Sequence, residues 1–510
     1  MFERRRSTRS PTIAPRFPGR RRGGIAFGVA GGRGRTIAFG VAILMGGATR
    51  GTAQDSAAAA ERRARELVAL INTADVADLR AYVDSAFSES MRAFPPEAHV
   101  GFIMNERSAS GGLDFDAIQQ SDATIGVARV RKRVTGDWQA LAVRIEPQPP
   151  HRISGIGSRE PDIPEGALEP PPTADAARVD ALAEYVRTLA AADIFSGAVL
   201  LAKDGEILYS EAFGEANKDF EAPNTVDTKF NLGSMNKMFT AVAIARLVER
   251  GELSFDDPLS KFLPDFPDPE SAGKIRIEHL LTHTSGLGSY FNDTFQHGAR
   301  NQWRTVDELM TLAEDDSLRF EPGTEWSYSN TGFLVLGKVI EVVSGQDYHD
   351  YVRAHIHEPA GMTSTAAYEL DYVTPNLAVG YDKTWDADGE MRYRNNLFEH
   401  VIRGGPAGGG YSTVGDLERF AEALMDGRLV GEEYVALLTS PKPELSSDSY
   451  GYGFGASEGS EIVGHSGGFS GISSNLDIFT ESGYVAVVMS NYGGASRDVV
   501  RKIRWLLGVG

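Results

Sequence analysis

The chain has 510 residues, 42% hydrophobic and 24% charged, which is typical of a globular protein with two or three domains. Its formal net charge is −19, and the first 54 residues hold 11 basic side chains against one acid, so the rest is strongly acidic. An acidic body disfavours nucleic acids and anionic membrane surfaces as partners. Cysteine is absent, which excludes disulfides, thiol nucleophiles and cysteine metal sites.

Residues 1–54 are typical of an export signal with a basic N-terminus. Arginine clusters precede the apolar segment 36–45, and small residues follow at 51–53. A basic region, a short apolar core and a small-residue cleavage site define such a signal. An apolar core this short cannot span a bilayer, which needs about 20 residues. We therefore expect a secreted or periplasmic protein without a stable membrane anchor. The alternatives are an uncleaved anchor or a disordered tail.

Residues 55–157 have the pattern of a small α+β domain. Apolar residues recur at helical spacing over 57–94. The segments 123–134 and 138–146 then alternate like two strands joined by a glycine turn. Helices followed by an antiparallel sheet indicate an α+β domain, and this one resembles the nuclear-transport-factor-like fold.

Residues 158–176 are rich in proline and acid and lack apolar periodicity, which predicts a linker. The remaining segment, 177–510, is predicted to be one antiparallel sheet flanked by helices. It begins with a helix and a hairpin, and it ends with strands and a helix. The first hairpin and the last strands can form one sheet, so the middle is an inserted helical lobe. The predicted strands are 197–202, 206–213, 462–465, 473–479 and 484–490.

The first chemical cluster is a serine and a lysine three positions apart, Ser234 and Lys237, where an apolar helical run begins. At this spacing the two side chains share a helix face. The positive helix end favours an oxyanion, and with burial it favours neutral lysine, which can accept the serine proton. The alternative is that Ser234 merely caps the helix and Lys237 is solvated, as in most isolated Ser-x-x-Lys pairs.

The second cluster is Tyr328 and Asn330, within EWSYSNTGF. A tyrosine beside a lysine cation loses its proton more readily and can relay protons to a leaving group. An asparagine amide can orient either Lys237 or the substrate.

The third cluster begins at His465 on a predicted strand and continues with Ser466, Gly467 and Gly468. Glycines in a strand allow another backbone, such as that of a substrate, to approach closely. The backbone N–H of Gly468 is the candidate second oxyanion donor.

In this order the three clusters resemble the serine β-lactamase and penicillin-binding-protein superfamily, whose Ser-x-x-Lys element supplies the nucleophile. The tyrosine indicates the class C branch with its relatives, the D-alanyl-D-alanine carboxypeptidases, D-aminopeptidases and family VIII-type esterases. Other stretches look similar to that branch, among them SFDDPLSKFLPDFP, HLLTHTSGL and GGPAGGGYSTVGDLERFAEAL. The resemblance covers about 181–507 and implies a β-lactamase-like serine hydrolase domain of the α/β (α+β) class.

The resemblance also implies a role for each cluster. Ser234 would form an acyl-enzyme, Lys237 would be its base, and Tyr328 would relay protons in acylation and deacylation. The implied binding groups are Asn330, His465, Ser466 and Gly467 for substrate, and the amides of Ser234 and Gly468 for the oxyanion.

β-Lactamases of this superfamily carry lysine where this chain has His465. Lysine can hold the carboxylate of a β-lactam, whereas histidine, with a reference pKa of about 6.5, is mostly neutral at pH 7. His465 can still donate a hydrogen bond to the substrate or to Tyr328. We therefore expect an esterase on small carboxylic esters, with a D-amino-acid peptidase or carboxypeptidase second and a weak β-lactamase third. A non-catalytic binding or sensing protein is the alternative of another class, which a full motif set disfavours.

We expect a small-molecule ester, amide or peptide substrate and neither a cofactor nor a metal. His283 is expected to bond a loop backbone near the cleft rather than to react. His355 and His357 resemble half a metal site, but the sequence shows no third ligand nearby. The glycines of 404–410 lack the lysine of a phosphate loop, and we expect them to line the cleft.

Overall fold

The structure, a computed structural model, describes residues 50–314, 316–386 and 388–509. Residues 50–159, which we call the front module, form helices packed on a four-stranded antiparallel sheet. The helices are α1 (Arg50–Thr73), α2 (Val76–Ala86), α3 (Glu89–Arg92) and α4 (Pro96–Ser110). The strands are β1 (Leu113–Ser121), β2 (Ile125–Lys132), β3 (Trp138–Ile145) and β4 (Ile153–Arg159).

The front module is held together by apolar side chains between its helices and one face of its sheet. Leu67 and Ile71 of α1 are fully buried in the same cluster as Val130 of β2 and Val143 of β3. The predicted hairpin of β2 and β3 is confirmed, because these strands pair antiparallel. The resemblance to the nuclear-transport-factor-like fold stays a prediction.

The C-terminal module, residues 175–509, contains the larger sheet. Its helices are α5 (Asp175–Ala191), α6 (Asn236–Glu249), α7 (Pro269–Lys274), α8 (Ile277–Leu281), α9 (Asp293–His297), α10 (Val306–Met310), α11 (Asn330–Ser344), α12 (Tyr348–Val352), α13 (Glu358–Ala360), α14 (Val414–Met425), α15 (Glu432–Thr439) and α16 (Ser496–Leu507). Its strands are β5 (Gly197–Lys203), β6 (Glu206–Phe213), β7 (Glu215–Asn217), β8 (Ala222–Pro223), β9 (Phe230–Asn231), β10 (Tyr381–Trp385), β11 (Met391–Asn395), β12 (Tyr411–Ser412), β13 (Ile462–Phe469), β14 (Ile472–Phe479) and β15 (Tyr484–Ser490).

The larger sheet joins the two ends of this module in the order β13-β14-β15-β5-β6, with every neighbouring pair antiparallel. The prediction that the first hairpin and the last strands form one sheet is therefore confirmed. Helices α5 and α16 pack on one face, and the segment between β6 and β13 supplies helices to the other face. Every residue of β14 is buried because both faces are covered.

Helix α6 is the central helix of the inserted lobe. All its residues from Asn236 to Ala245 are buried, so it is enclosed on every side rather than amphipathic. It packs against α11 and α15. This burial decides the chemistry of any ionisable group at its start.

The front module contacts the C-terminal module through polar groups. The buried Lys132 Nζ lies 2.6 Å from Asp498 Oδ2, and the Tyr185 hydroxyl donates to Asp137 Oδ2 at 2.5 Å. The described residues all fall within one compact unit, Met45–Gly510.

Residues 160–172 are mostly exposed, with Gln119 Nε2 donating to the Glu160 carbonyl at 3.0 Å. The domain boundaries and the linker remain predictions. The export signal predicted over 1–54 lies outside the described residues apart from the start of α1. No described helix has both the length and the apolarity needed to cross a membrane.

Candidate active site

Ser234 and Lys237 lie side by side at the start of α6. Ser234 sits in a short 3₁₀ turn, Gly233–Met235, that leads directly into the helix. Lys237 Nζ is 3.2 Å from Ser234 Oγ. The ordinary helix-start alternative is wrong on both points, because no side chain caps α6 and Lys237 is fully buried.

Three oxygen atoms surround the Lys237 nitrogen. Besides Ser234 Oγ, these are Asn330 Oδ1 at 2.9 Å and the Ala407 carbonyl at 2.6 Å. Burial holds the pKa of Lys237 well below its ordinary value, because an ammonium would have to leave water for a packed interior. Burial therefore favours the neutral amine, in the direction that the sequence predicts.

Tyr328 lies beside the same nitrogen, two residues before the start of helix α11. The Ser329 side chain caps α11 by accepting from the Gly332 N–H at 2.8 Å. Lys237 Nζ lies 4.9 Å from the centroid of the Tyr328 ring. The structure thus brings together the three residues predicted to be catalytic.

One electrostatic expectation about Tyr328 is wrong. Although 36% of the Tyr328 surface is exposed, the protein groups around its hydroxyl displace water and raise its pKa above the ordinary value, and a hydrogen bond to Ser234 opposes this only in part. From the sequence, a lysine cation beside Tyr328 is expected to lower this pKa. Burial disfavours the lysine cation that would lower this pKa, so Tyr328 keeps its phenol proton and can donate it.

Asn330, in the first turn of α11, has partners at both ends of its amide. Its Oδ1 accepts from Lys237, and its Nδ2 donates to Ser289 Oγ at 3.1 Å. Of the two uses considered for this amide, the structure shows the orientation of Lys237. Binding of substrate by Asn330 stays a prediction.

Strand β13 lies directly against the turn that holds Ser234. A Cβ atom added at Gly233 would lie 2.8 Å from the Gly468 nitrogen, and one at Gly467 would lie 1.9 Å from the Leu232 carbonyl oxygen. The absence of a side chain at Gly467 therefore makes room for the protein's own backbone at Leu232, whereas the sequence predicts room for the backbone of a substrate. A Cβ at Gly468 would meet only the Ile472 carbonyl, at 4.0 Å, so that side is open. The Gly468 nitrogen therefore lies against the turn that holds Ser234.

His465 has protein partners on both ring nitrogens. Nδ1 lies 2.5 Å from the Ser466 carbonyl, which can only accept, so Nδ1 carries the proton. Nε2 lies 2.8 Å from the Tyr450 hydroxyl and then accepts from it. Burial lowers the pKa of His465 to about 3, so the ring is neutral. The expected hydrogen bond to Tyr328 is replaced by the bond to Tyr450, while Ser466 itself is exposed.

His283 packs against Tyr328 and holds the backbone next to it. Its Nδ1 accepts from the Ser329 N–H at 3.0 Å, which confirms the expectation that it bonds a loop backbone. Its ring packs at a tilted angle against the rings of both Tyr328 and Tyr450, with centroid distances of 4.2 Å and 4.6 Å. Burial holds the pKa of His283 well below its ordinary value, so this layer of rings carries no charge.

The glycine-rich segment 404–410 lines the site, as predicted, and contributes the Ala407 carbonyl. Sequence reasoning missed Ala407 and Tyr450. A backbone carbonyl has no sequence signal, and Tyr450 stands among glycines with no motif around it. His355 and His357 lie in a π-helical turn, Arg353–His357. Across 50–314, 316–386 and 388–509, no group of three or more His, Asp or Glu is placed to hold a metal ion.

A model of the family described as Beta-lactamase matches residues 182–509 of this chain, a range that contains all three clusters. Penicillin-binding protein 4* of Bacillus subtilis (strain 168) is 32% identical over 314 residues, covering 58% of this chain and 68% of that protein. Esterase EstB of Burkholderia gladioli is 35% identical over 199 residues, covering 37% of this chain and 50% of that protein. The crystal structure of a penicillin binding protein from Bacillus halodurans superposes with a TM-score of 0.58 at 32% identity, covering 63% of this chain and 99% of that chain.

Proposed function

The chain belongs to the beta-lactamase family of serine hydrolases, and from that premise we propose that it is a secreted esterase that cleaves small carboxylic esters through an acyl-enzyme on Ser234. One observation carries the proposal, namely the set of partners around Lys237 Nζ. Asn330 Oδ1 and the Ala407 carbonyl can only accept hydrogen bonds, so they take both N–H bonds of the neutral amine. The lone pair is then left for Ser234 Oγ.

This arrangement supports the acylation step. As Ser234 Oγ bonds to the ester carbonyl carbon, its proton passes to the Lys237 lone pair. The carbonyl oxygen becomes an oxyanion, for which the amides of Ser234 and Gly468 are the candidate donors.

Tyr328 then protonates the leaving group. As the carbon–oxygen bond of the ester breaks, the neutral phenol gives its proton to the departing alkoxide and recovers one from Lys237. In deacylation the same path runs in reverse, with water taking the place of the alcohol and Ser234 leaving.

The neutral state of His465 favours esters over β-lactams. With a pKa of about 3 and its Nε2 taken by Tyr450, the ring offers no cation to a substrate carboxylate. EstB, a relative of this chain that is named as an esterase, supports the same substrate class.

Labelling and turnover test this proposal. A fluorophosphonate should label the wild-type protein at one residue, and Ser234→Ala should abolish the label. Lys237→Met and Tyr328→Phe should each lower p-nitrophenyl acetate turnover by about 100-fold or more. Labelling of another residue, or near-wild-type turnover in both variants, would contradict the mechanism.

A substrate panel separates the esterase from its alternatives. Specificity constants for short-chain esters, D-amino-acid amides, D-Ala-D-Ala peptides and cephalosporins should rank the esters first. A lead for the amides or peptides would indicate a peptidase. Complete absence of labelling and turnover would indicate a binding protein on the same fold.

Export rests on the basic and apolar pattern of residues 1–54. Expressed in a bacterial host, the full chain should appear in the periplasm or medium in a shortened form. A full-length cytoplasmic product would contradict export without affecting the catalytic proposal.

A further inference from the structure

The hairpin of β10 and β11 holds the turn that joins β13 to β14. Asp382 on β10 accepts a hydrogen bond from the Ser470 hydroxyl through Oδ2, and its Oδ1 accepts from the Gly471 N–H at 3.0 Å. Asn396, directly after β11, donates to the Ser470 carbonyl at 2.8 Å. The hairpin therefore binds both the Ser470 side chain and the backbone groups of the turn.

This turn lies at the end of the strand that carries Gly468. Gly468 pairs with Ser473, and the next pair, Phe469 with Ile472, closes the hairpin around Ser470 and Gly471. Gly471 has a φ of +63°, and a Cβ there would lie 2.5 Å from the Tyr381 nitrogen. A turn held this closely fixes where β13 ends, and with it the direction of the Gly468 N–H.

The other face of β10 contacts the front module. Side chains alternate between the two faces of a strand, so Lys383 and Trp385 point away from Asp382. Trp385 Nε1 donates to Asn105 Oδ1 on α4 at 3.1 Å, and its ring packs against the front-module core. Lys383 Nζ donates to Ser108 Oγ at 3.2 Å.

We propose that the front module positions the Gly468 amide through the β10–β11 hairpin, with Asp382 as the positioning residue. The inference rests on the proposed function, in which this amide stabilises the oxyanion. It assigns a role to residues 50–159, which lie outside the family match. The strand links the two modules, because its Asp382 face holds the turn at Ser470 and Gly471, which we call the oxyanion turn, while Trp385 on its other face is held by α4. Lys383 is shared between the modules, because its Nζ donates to Ser108 Oγ on α4 and also to the Asp193 carbonyl of the C-terminal module at 2.5 Å.

The physical basis is that an oxyanion donor works only when it is fixed in place beforehand. Removing one donor typically lowers kcat by about 100- to 1,000-fold, and a misplacement of about 1 Å can have a similar effect. Loss of the Asp382 carboxylate leaves the donor in place but frees its turn. The expected loss is therefore about 10- to 100-fold in kcat.

The first experiment compares Asp382→Ala with Asp386→Ala, using p-nitrophenyl acetate turnover and the rate of fluorophosphonate labelling. Asp386 is the matched control, because it accepts from Asp388 and Glu390 within the hairpin tip and does not touch the oxyanion turn. Asp382→Ala should lower kcat and the labelling rate, with KM and Tm near wild type.

Asp382→Asn should restore most of the rate, because its amide oxygen still accepts from Gly471 and its NH₂ can donate to Ser470 Oγ. Ser470→Ala removes only the hydroxyl and should lower kcat several-fold with little effect on folding. A kcat within twofold of wild type in Asp382→Ala and Ser470→Ala would overturn the proposal. So would a loss of kcat that tracks Tm and is not restored by asparagine.

The second experiment tests the front module in the full chain. The double variant Asn105→Ala/Ser108→Ala removes both polar contacts to β10, and it should lower kcat about three- to tenfold at unchanged KM. Gln119→Ala is the control, because Gln119 bonds the segment after β4 instead of the hairpin. Unchanged kcat in the double variant would overturn the role of the front module. An inactive, unlabelled wild type would instead overturn the proposed function itself.

Discussion

At the scale of single residues, Lys237 is the proposed base of the reaction, and burying its amine also lowers the stability of the folded protein. Its nitrogen is fully buried with acceptors on two sides and Ser234 Oγ on the third. A group buried in its neutral form binds fewer protons in the native state than in the unfolded chain. Replacing Lys237 should therefore change the pH dependence of the unfolding free energy as well as the activity.

The first prediction concerns the pH dependence of stability. Between the lowered folded pKa of Lys237 and the unfolded pKa of about 10.4, the unfolded chain binds one extra proton. The free energy of unfolding of wild type should therefore rise with pH relative to Lys237→Met, by roughly 1.4 kcal/mol per pH unit. Denaturant titrations at several pH values between 6 and 9 measure this difference. A difference independent of pH would mean that native Lys237 is charged.

The second prediction concerns His465. Lysine here would add a cation near the substrate, whereas the histidine is neutral, with a pKa of about 3. His465→Lys should raise nitrocefin hydrolysis about tenfold and lower p-nitrophenyl acetate turnover. His465→Gln is the uncharged control and should leave nitrocefin hydrolysis unchanged. Equal nitrocefin rates in wild type and both variants would contradict the argument that a cation at position 465 binds the carboxylate of a β-lactam.

At the scale of elements, the site is made where β13 touches the 3₁₀ turn before α6. Gly233 has a φ of +51°, and β13 lies too close for a side chain. Ser474 Oγ on β14 also donates to the Leu232 carbonyl at 2.7 Å, which fastens the turn to the sheet. The nucleophile is thus positioned by strand contacts as much as by its helix.

The third prediction is that Gly233→Ala disrupts this contact. The new Cβ would lie 2.8 Å from the Gly468 nitrogen and 3.0 Å from Gly467 Cα. We expect kcat to fall at least tenfold and the unfolding free energy to fall by about 3 kcal/mol. Gly251→Ala is the matched control, since Gly251 has a φ of +73° and nothing within 4 Å. It should lose about 1 kcal/mol and no activity, and equal effects of both variants on activity would contradict the close-contact argument.

At the scale of the whole molecule, the two modules are joined by a buried ion pair between Lys132 and Asp498. Their side chains are 7% and 14% exposed, and the nitrogen lies 2.6 Å from the carboxylate oxygen. Burial alone would raise the pKa of Asp498, but the charges of Lys132 and Arg501 outweigh it and lower that pKa. Removing one partner leaves the other charge buried, which is strongly destabilising.

The fourth prediction is that Lys132→Met lowers the unfolding free energy by about 2–3 kcal/mol at pH 7. Lys261→Met is the control, because the Lys261 side chain is half exposed and its pair with Asp257 should contribute less than about 1 kcal/mol. The gap between wild type and Lys132→Met should narrow as the pH falls through the folded pKa of Asp498, where the carboxylate gains a proton. Denaturant titrations measure both effects, and equal losses in the two variants would contradict a buried interface pair.

Much of the fold was predictable because it depends on local patterns. The hairpin of β5 and β6 and the strand β15 follow from alternation and turn residues, and the spacing of Ser234 and Lys237 places both on one side of a helix start. Tyr328 and Asn330 were found through their resemblance to a family motif. These signals stand within a few residues of one another, so no long-range packing is needed to detect them.

By itself the sequence determined the family, the order of the three clusters and the strands that close the sheet. Only the tertiary structure decided which atoms surround Lys237, that Tyr450 is the partner of His465, and that Asp382 reaches the oxyanion turn. It also decided that the pKa of Tyr328 is raised, whereas the sequence predicts a lowered one. The physical reason is that protonation depends on burial and on neighbours brought together from distant parts of the chain. Neither spacing nor composition records which backbone carbonyl will lie beside a given amine.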